Sequence, residues 1–363
     1  MLKNPPYAVD FLLIDESLSS WINGRFKNTV LIKRENYRIE LERENNKFVK
    51  RGEYSSRVIQ TKFPVNEIVP SYNIFCPDKC GFSVRIRISR DNKIWSTWFY
   101  LGKWGEVEEN EIKILANKWG KVNIDYLFLP EDKAINYIQY KITFFSKDGK
   151  NTPSMSLFAI SYSNTTSDKK LYEQFYKKIT LKMRDWQKRL PVPFRSQSVE
   201  NKKYRWSVCS PTCVAMILEY NGIKRKTGEI IKKIYDEEYK IYGNWSHAVN
   251  TAVQYGLKGY LQRFRNWDEV KYQISQNQPV VASIKFKEGV LSNAPIPKSS
   301  GHIIVITGIN DKGDIFVNDP AGKMKSTGMV VYKAKELAKA WFDHSGVGYI
   351  IKRSKMTKQS SIY

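Results

Sequence analysis

The chain of 363 residues holds only three histidines, His247, His302 and His344, so any imidazole base must be one of these. Its four cysteines stand as two equally spaced pairs, Cys76/Cys80 and Cys209/Cys213. Cys209 opens the run Cys209-Ser210-Pro211-Thr212, and the apolar residues Val214, Met216, Ile217 and Leu218 follow. This reads as a helix over 211–220 with Gly222 as its stop signal. Proline two residues after the cysteine suits a first helical turn, where its missing N–H would be unpaired anyway. A thiol at that place sits beside exposed backbone N–H groups and the positive end of the helix dipole, and both favour a reactive thiolate. The alternative is a buried structural cysteine, the commoner state of a free thiol.

His302 begins a strand-like run, Gly301-His302-Ile303-Ile304-Val305-Ile306-Thr307-Gly308. A turn at Asp311-Lys312-Gly313-Asp314 follows, and a second run, Ile315-Phe316-Val317-Asn318, ends at Asp319-Pro320. Antiparallel pairing across that turn sets Asp319 beside His302, able to accept from one ring nitrogen while the other faces a thiolate. The competing view is a solvated turn aspartate and a core histidine. Gln197, in Phe194-Arg195-Ser196-Gln197, precedes Cys209 by about a dozen residues, and its amide is a candidate donor to an oxyanion.

These residues need elements to position them. Residues 1–165 read as an all-β antiparallel sandwich. Ser83–Ser89 alternates with period two, as a half-buried strand does; Arg90-Asp91-Asn92-Lys93 is a turn before a strand over 95–101; 137–145 alternates likewise, and 147–150 looks like a hairpin turn. No histidine falls in this region. Ser161–Asp168 is a polar linker, and Leu171, Phe175, Ile179, Met183 and Trp186 mark one basic amphipathic helix over 171–189, so 166–190 reads as linker plus helix. Leu190-Pro191-Val192-Pro193 opens a second domain, 191–363. Helices over 211–220, 227–235 and 250–255 precede strands over 280–286, 302–309, 315–318 and 348–351, an α+β order. Trp95, Trp98 and Trp104 are candidates either for the core or for an exposed aromatic surface.

The net charge is +24. A surface so basic attracts polyanions such as nucleic acid, anionic lipid or an anionic cell-wall polymer, unless it records a lysine-rich composition and no partner. No nucleic-acid motif accompanies it, so no specific nucleic acid is expected. The longest apolar runs fall far short of the roughly 20 residues of a membrane helix. Met1–Asp15 lacks a cationic start and a cleavage pattern and reads as a strand, which makes the cytoplasm the default compartment. Four cysteines invite a zinc site, but C-x-x-x-C spacing fits one poorly. Cys76 and Cys80 are equally a small-loop disulfide or two free thiols.

Together, Val192-Pro193-x-x-Ser196-Gln197, Cys209-Ser210-Pro211-Thr212, Gly301-His302 and Val317-Asn318-Asp319-Pro320-Ala321 resemble the bacterial cysteine peptidase family related to bacteriocin-leader-processing peptidases. Tyr242-Gly243-Asn244-Trp245, Asn250-Thr251-Ala252 and Ala282–Phe286 match it further. The resemblance covers the second domain. It reaches weakly into the first through Val69-Pro70-Ser71-Tyr72-Asn73 and Trp95-Ser96-x-Trp98, similar to a β-domain that precedes such peptidases. It implies a papain-like fold, with Cys209 as nucleophile, His302 as base, Asp319 as orienting residue and Gln197 as oxyanion donor. Asn244 and Trp245 would lie beside a peptide or protein substrate, and no metal or cofactor is required. Cys213 departs from the usual Ser or Thr and is given no role, and transporter domains like those of the leader-processing enzymes are not expected. The same triad would serve an amidase or a transpeptidase. An inactive relative would instead bind wall polymer or glycan through its β-domain.

Overall fold

The alternating run at Val84, Ile86 and Ile88 lies in strand Cys80–Ser89 of the computed structural model, which describes residues 7–108, 110–176 and 179–353. Its polar positions are not solvated as a half-buried strand requires: Ser83, Arg85 and Ser89 are buried too. The strand is central, flanked by Phe99–Gly105 and Ile135–Ser146 in a six-stranded antiparallel sheet. An eight-stranded sheet, with Glu67–Phe75 and Ser154–Asn164 at its centre, packs across it. Ile68, Tyr72, Phe158 and Ile160 of one sheet share a core with Phe82, Val84, Ile86 and Ile142 of the other.

Several expected elements differ. The 147–150 turn joins Ile135–Ser146 to Ser154–Asn164, which belong to different sheets, so it crosses the layers and closes no hairpin. Ser161–Asn164 is strand and not linker, because its backbone pairs with Val9–Leu12 on one side and its side-chain hydroxyls are taken up in buried contacts. Trp95–Trp98 is loop, and the strand begins at Phe99; of the three tryptophans only Trp104 joins the core, while Arg87 lies over the rings of Trp95 and Trp98. The amphipathic stretch is two short helices, Lys169–Phe175 and Met183–Trp186. Leu171 and Phe175 pack on the core of the first domain and Trp186 on that of the second, a division one straight helix could not serve.

In the second domain, helices Cys209–Tyr220, Thr227–Ile234 and Trp245–Val253 precede the sheet. The third begins at Trp245, five residues earlier than the apolar pattern suggested, because Asn244 caps it by accepting from the His247 N–H. The antiparallel sheet runs Leu257–Arg263, Val347–Arg353, Val280–Phe286, Ser299–Ile309, Ile315–Asn318, Met329–Tyr332. Leu257–Arg263, which alternation did not reveal, is an edge strand. Helix Cys209–Tyr220 lies against Ser299–Ile309. Among the described residues no helix is long and apolar enough to cross a membrane.

The two domains share an apolar interior: Val69, Leu157 and Ala159 of the eight-stranded sheet belong to the same core as Val249, Leu261 and Ile350. Polar groups fix the register of this docking. The Ser71 hydroxyl accepts from Leu261 N at 2.9 Å, the Asn73 side chain bonds both N and O of Gly259, and Asn250 Oδ1 accepts from Ile74 N at 2.9 Å. Arg263, with no side-chain exposure, donates to Glu67, Ser163 and the Ser345 carbonyl, with Asp10 close by. A buried cation is tolerable only while its partners remain. Arg263→Ala leaves Glu67 buried beside a void and should lower the unfolding free energy by about 3–5 kcal/mol. Urea denaturation checks this; a change below about 1 kcal/mol, the range of a surface pair, would show that the bridge does not hold the domains.

Candidate active site

Cys209 is the first residue of its helix and is half-buried, whereas the next turn is closed: Ser210, Thr212 and Cys213 are all buried. The Thr212 hydroxyl donates back to the Val208 carbonyl at 2.7 Å and tightens that turn. Cys213 faces the sheet, its thiol donating to the Ile303 carbonyl at 3.3 Å, and burial pushes its pKa well up. The two sulfurs of this pair therefore see different worlds, one open and one apolar.

His302 lies on the strand against which that helix packs. The ladder pairs Val305 with Asn318, which places Ile304 opposite Asp319 and His302 on the same face, one diagonal step away. His302 Nε2 and Asp319 Oδ1 are 2.7 Å apart. Nδ1 is left to face the cleft that Cys209 also lines, and the neighbouring thiol helps to keep the ring charged. Asp319 is closed to solvent. Its Oδ1 also accepts from Ala321 N at 2.9 Å, and its Oδ2 accepts from the Tyr332 hydroxyl at 2.7 Å. Burial disfavours the charged form of both groups, yet their mutual attraction and hydrogen bonds outweigh it. The His302 pKa rises to about 10, and the Asp319 carboxyl is held below its ordinary 3.8.

Gln197 is buried in a one-turn helix capped by Ser196, and its backbone N–H donates to the Pro320 carbonyl at 2.8 Å. That bond ties it to the residue after Asp319. Its Oε1 is buried without a hydrogen-bond partner among the described residues. Gln197, Cys209 and His302 line one cavity of about 1060 Å³, over which the exposed Trp206 stands. A second cavity, of about 610 Å³, shares Trp206, Cys209 and His302 and extends to Trp245.

Asn244, expected beside substrate, is instead a buried helix cap whose amide nitrogen donates to Asp236 Oδ2 at 2.7 Å. Its side chain is fully employed and lines neither cavity. His247 is buried against Trp104, with Nε2 3.0 Å from the Lys103 carbonyl, and His344 lies at the cleft. All four cysteines are free thiols, and among the described residues no group of three or more His, Cys, Asp or Glu is placed to hold a metal ion. Tyr332 and Trp206 went unnoticed in the sequence. Only the register of the third strand brings the Tyr332 hydroxyl to Asp319, and nothing local to Trp206 marks it.

A half-buried thiol at a helix N-terminus, sharing a cleft with an imidazole, suits a cysteine peptidase, and a family model agrees. Residues 189–349 match the Peptidase_C39 like family, and residues 16–163 match the Peptidase C39 N-terminal domain. No curated protein is detectably similar to the chain. Among solved structures, a double glycine motif protease from an AMS/PCAT transporter, in complex with the leader peptide, is 20% identical over 46% of this chain and 94% of its own, with a TM-score of 0.33. The peptidase domain of Streptococcus ComA, a bifunctional ABC transporter involved in a quorum-sensing pathway, is 12% identical over 45% of this chain and 99% of its own, also at 0.33. A carbohydrate-binding module of the β-sandwich superfamily is 14% identical over 43% of this chain and 55% of its own, at 0.18.

The ion pair makes stability depend on pH in a defined sense. His302, raised to about 10, contributes stability that is complete below its ordinary 6.5 and is lost as pH climbs through 10. Asp319 contributes stability present above 3.8 and lost as pH falls through its lowered native value. The advantage of the native protein over Asp319→Asn should therefore be greatest between pH 3.8 and 6.5 and shrink towards 10. Urea titrations across this range measure it, and a flat difference would mean the pair is not charged.

Proposed function

We propose that the chain hydrolyses peptide bonds by acyl transfer, with Cys209 as nucleophile, His302 as acid and base, Asp319 orienting the imidazole and Gln197 donating to the oxyanion. The observation that carries this reading is the 2.7 Å pairing of His302 with Asp319 beside a cleft that Cys209 and Gln197 also line. The proposed arrangement is papain-like: a helix presents the thiol and a sheet presents the imidazole and carboxylate. We assign 1–165 to the accessory β-domain and 191–363 to the peptidase, with 166–190 between them.

The thiolate attacks the amide carbonyl, and the negative oxygen is held by the Cys209 N–H and the Gln197 amide nitrogen. Collapse breaks the C–N bond as His302 gives its proton to the leaving amine. Water then attacks the thioester, His302 takes its proton, and the acid leaves with the thiolate restored. Asp319 matters throughout because it keeps Nδ1 aimed at sulfur and favours the imidazolium. Tyr332 holds Asp319 from its far oxygen.

Cys209→Ala should abolish hydrolysis of peptides with the fold intact, whereas Cys213→Ser should keep most of it, since a serine hydroxyl can still donate to the Ile303 carbonyl. Turnover and circular dichroism of both variants test this. If Cys213→Ser were as inactive as Cys209→Ala, a dithiol mechanism would be the better account.

Gln197→Ala should slow acylation by roughly 10²–10³-fold and leave alkylation of Cys209 by iodoacetamide nearly unchanged. An oxyanion donor acts on charge that appears only in the transition state, whereas the thiolate depends on His302 and the helix terminus. Labelling and acylation falling together would mean that Gln197 only holds its loop against Pro320.

A further inference from the structure

The hairpin Gly120–Asn123/Tyr126–Phe128 belongs to the first domain, yet its tip reaches the cleft of the second. Asp125, 5% exposed, anchors it: the carboxylate accepts from Trp245 N at 2.5 Å and Ser246 N at 3.4 Å, at the start of helix Trp245–Val253. The Tyr126 ring stacks on Trp245 at 5.9 Å and 18°. Between Asn123 and Asp125 the backbone of Ile124 sits at φ 59°, in the left-handed region. Glycine and asparagine adopt that conformation readily, and a β-branched residue there is an outlier that asks for a reason.

The reason lies in what the side chain faces. The second cavity, about 610 Å³, has Ile124, Tyr126, Tyr242, Trp245, Ile284 and Ile303 among its lining residues and is continuous with Cys209 and His302. Gln197 borders the other cavity and not this one. An apolar chamber opening directly on the thiol suits a bulky apolar side chain of the chain being cut, beside the scissile bond. Two of its walls come from residues more than eighty positions ahead of Cys209.

We infer that Ile124 and Tyr126 of the first domain are specificity-determining residues, completing a subsite for a bulky apolar side chain of a peptide substrate. The β-domain is thus part of the substrate cleft and not a separate module beside it. This rests on the peptidase reading above, so the test must separate the two.

Ile124→Gly and Ile124→Asn both relieve the left-handed strain, so both should fold with a urea midpoint equal to or above that of the native chain. An internally quenched decapeptide library, varied on each side of the scissile bond, reads the preference. The ratio of kcat/KM for Leu or Phe peptides over Ala peptides at the responsive position should fall about tenfold or more in both variants. Iodoacetamide labelling of Cys209 at pH 5.5 serves as the control on the thiolate. With labelling intact, an unchanged profile, or an equal loss on every peptide, overturns the subsite alone. A native chain that neither labels at Cys209 nor cleaves any library member overturns the peptidase reading and the subsite with it.

Discussion

A carboxylate sealed from solvent stays charged only if its oxygens are engaged, and Asp319 is such a group. One oxygen meets the His302 ring and the Ala321 N–H, the other the Tyr332 hydroxyl. Meeting that demand recruits much of the second domain. It requires the Ser299–Ile309 and Ile315–Asn318 strands in one register, a third strand to deliver Tyr332, and a turn at Pro320 whose carbonyl holds Gln197. The imidazole orientation, and with it the ring nitrogen offered to Cys209, follows from the needs of a buried anion.

The docking of the two domains obeys the same rule on a larger scale. The two central strands of the eight-stranded sheet are buried on both faces, so polar residues on their outer face must find partners in the second domain. Ser71 and Asn73 bond the edge strand Leu257–Arg263, and Arg263 returns the contact to Glu67. Val69-Pro70-Ser71-Tyr72-Asn73, prominent in the sequence for its resemblance alone, lies in this seam: Pro70 accepts from the Ser246 hydroxyl and Val69 enters the shared core. Asp125 extends the seam to the start of the Trp245–Val253 helix. A seam so specific fixes the angle between domains, and a first domain held at a fixed angle can lend side chains to a cleft it does not itself contain.

Much of the second domain was legible because its signals are local. A cysteine two residues before a proline and an apolar run mark a helix start, and two apolar runs about a tight turn mark a hairpin. Their register then puts Asp319 near His302 without knowledge of anything else in the chain. The amphipathic stretch after Asp168 misled for the opposite reason. Leu171, Phe175 and Trp186 keep helical spacing, but they answer to two different cores, so the helix divides. Ser83–Ser89 alternates as a solvated strand does, although its polar side is covered by aromatic rings, Tyr100 against Arg85 and Trp95 and Trp98 against Arg87.

The sequence by itself determined the local elements of the cleft: a thiol at a helix terminus, a histidine early in a strand, and an aspartate just beyond the next. Tertiary structure alone decided that Asn244 would be consumed as a helix cap, that Tyr332 would hold Asp319, and that Ile124 and Tyr126 would line a cavity reaching Cys209. The physical reason is distance along the chain. A helix terminus or a tight turn is stabilised by residues within a few positions, which leave a periodic trace. A contact between Asp125 and Trp245 is stabilised only after two domains have docked, and no local pattern records it.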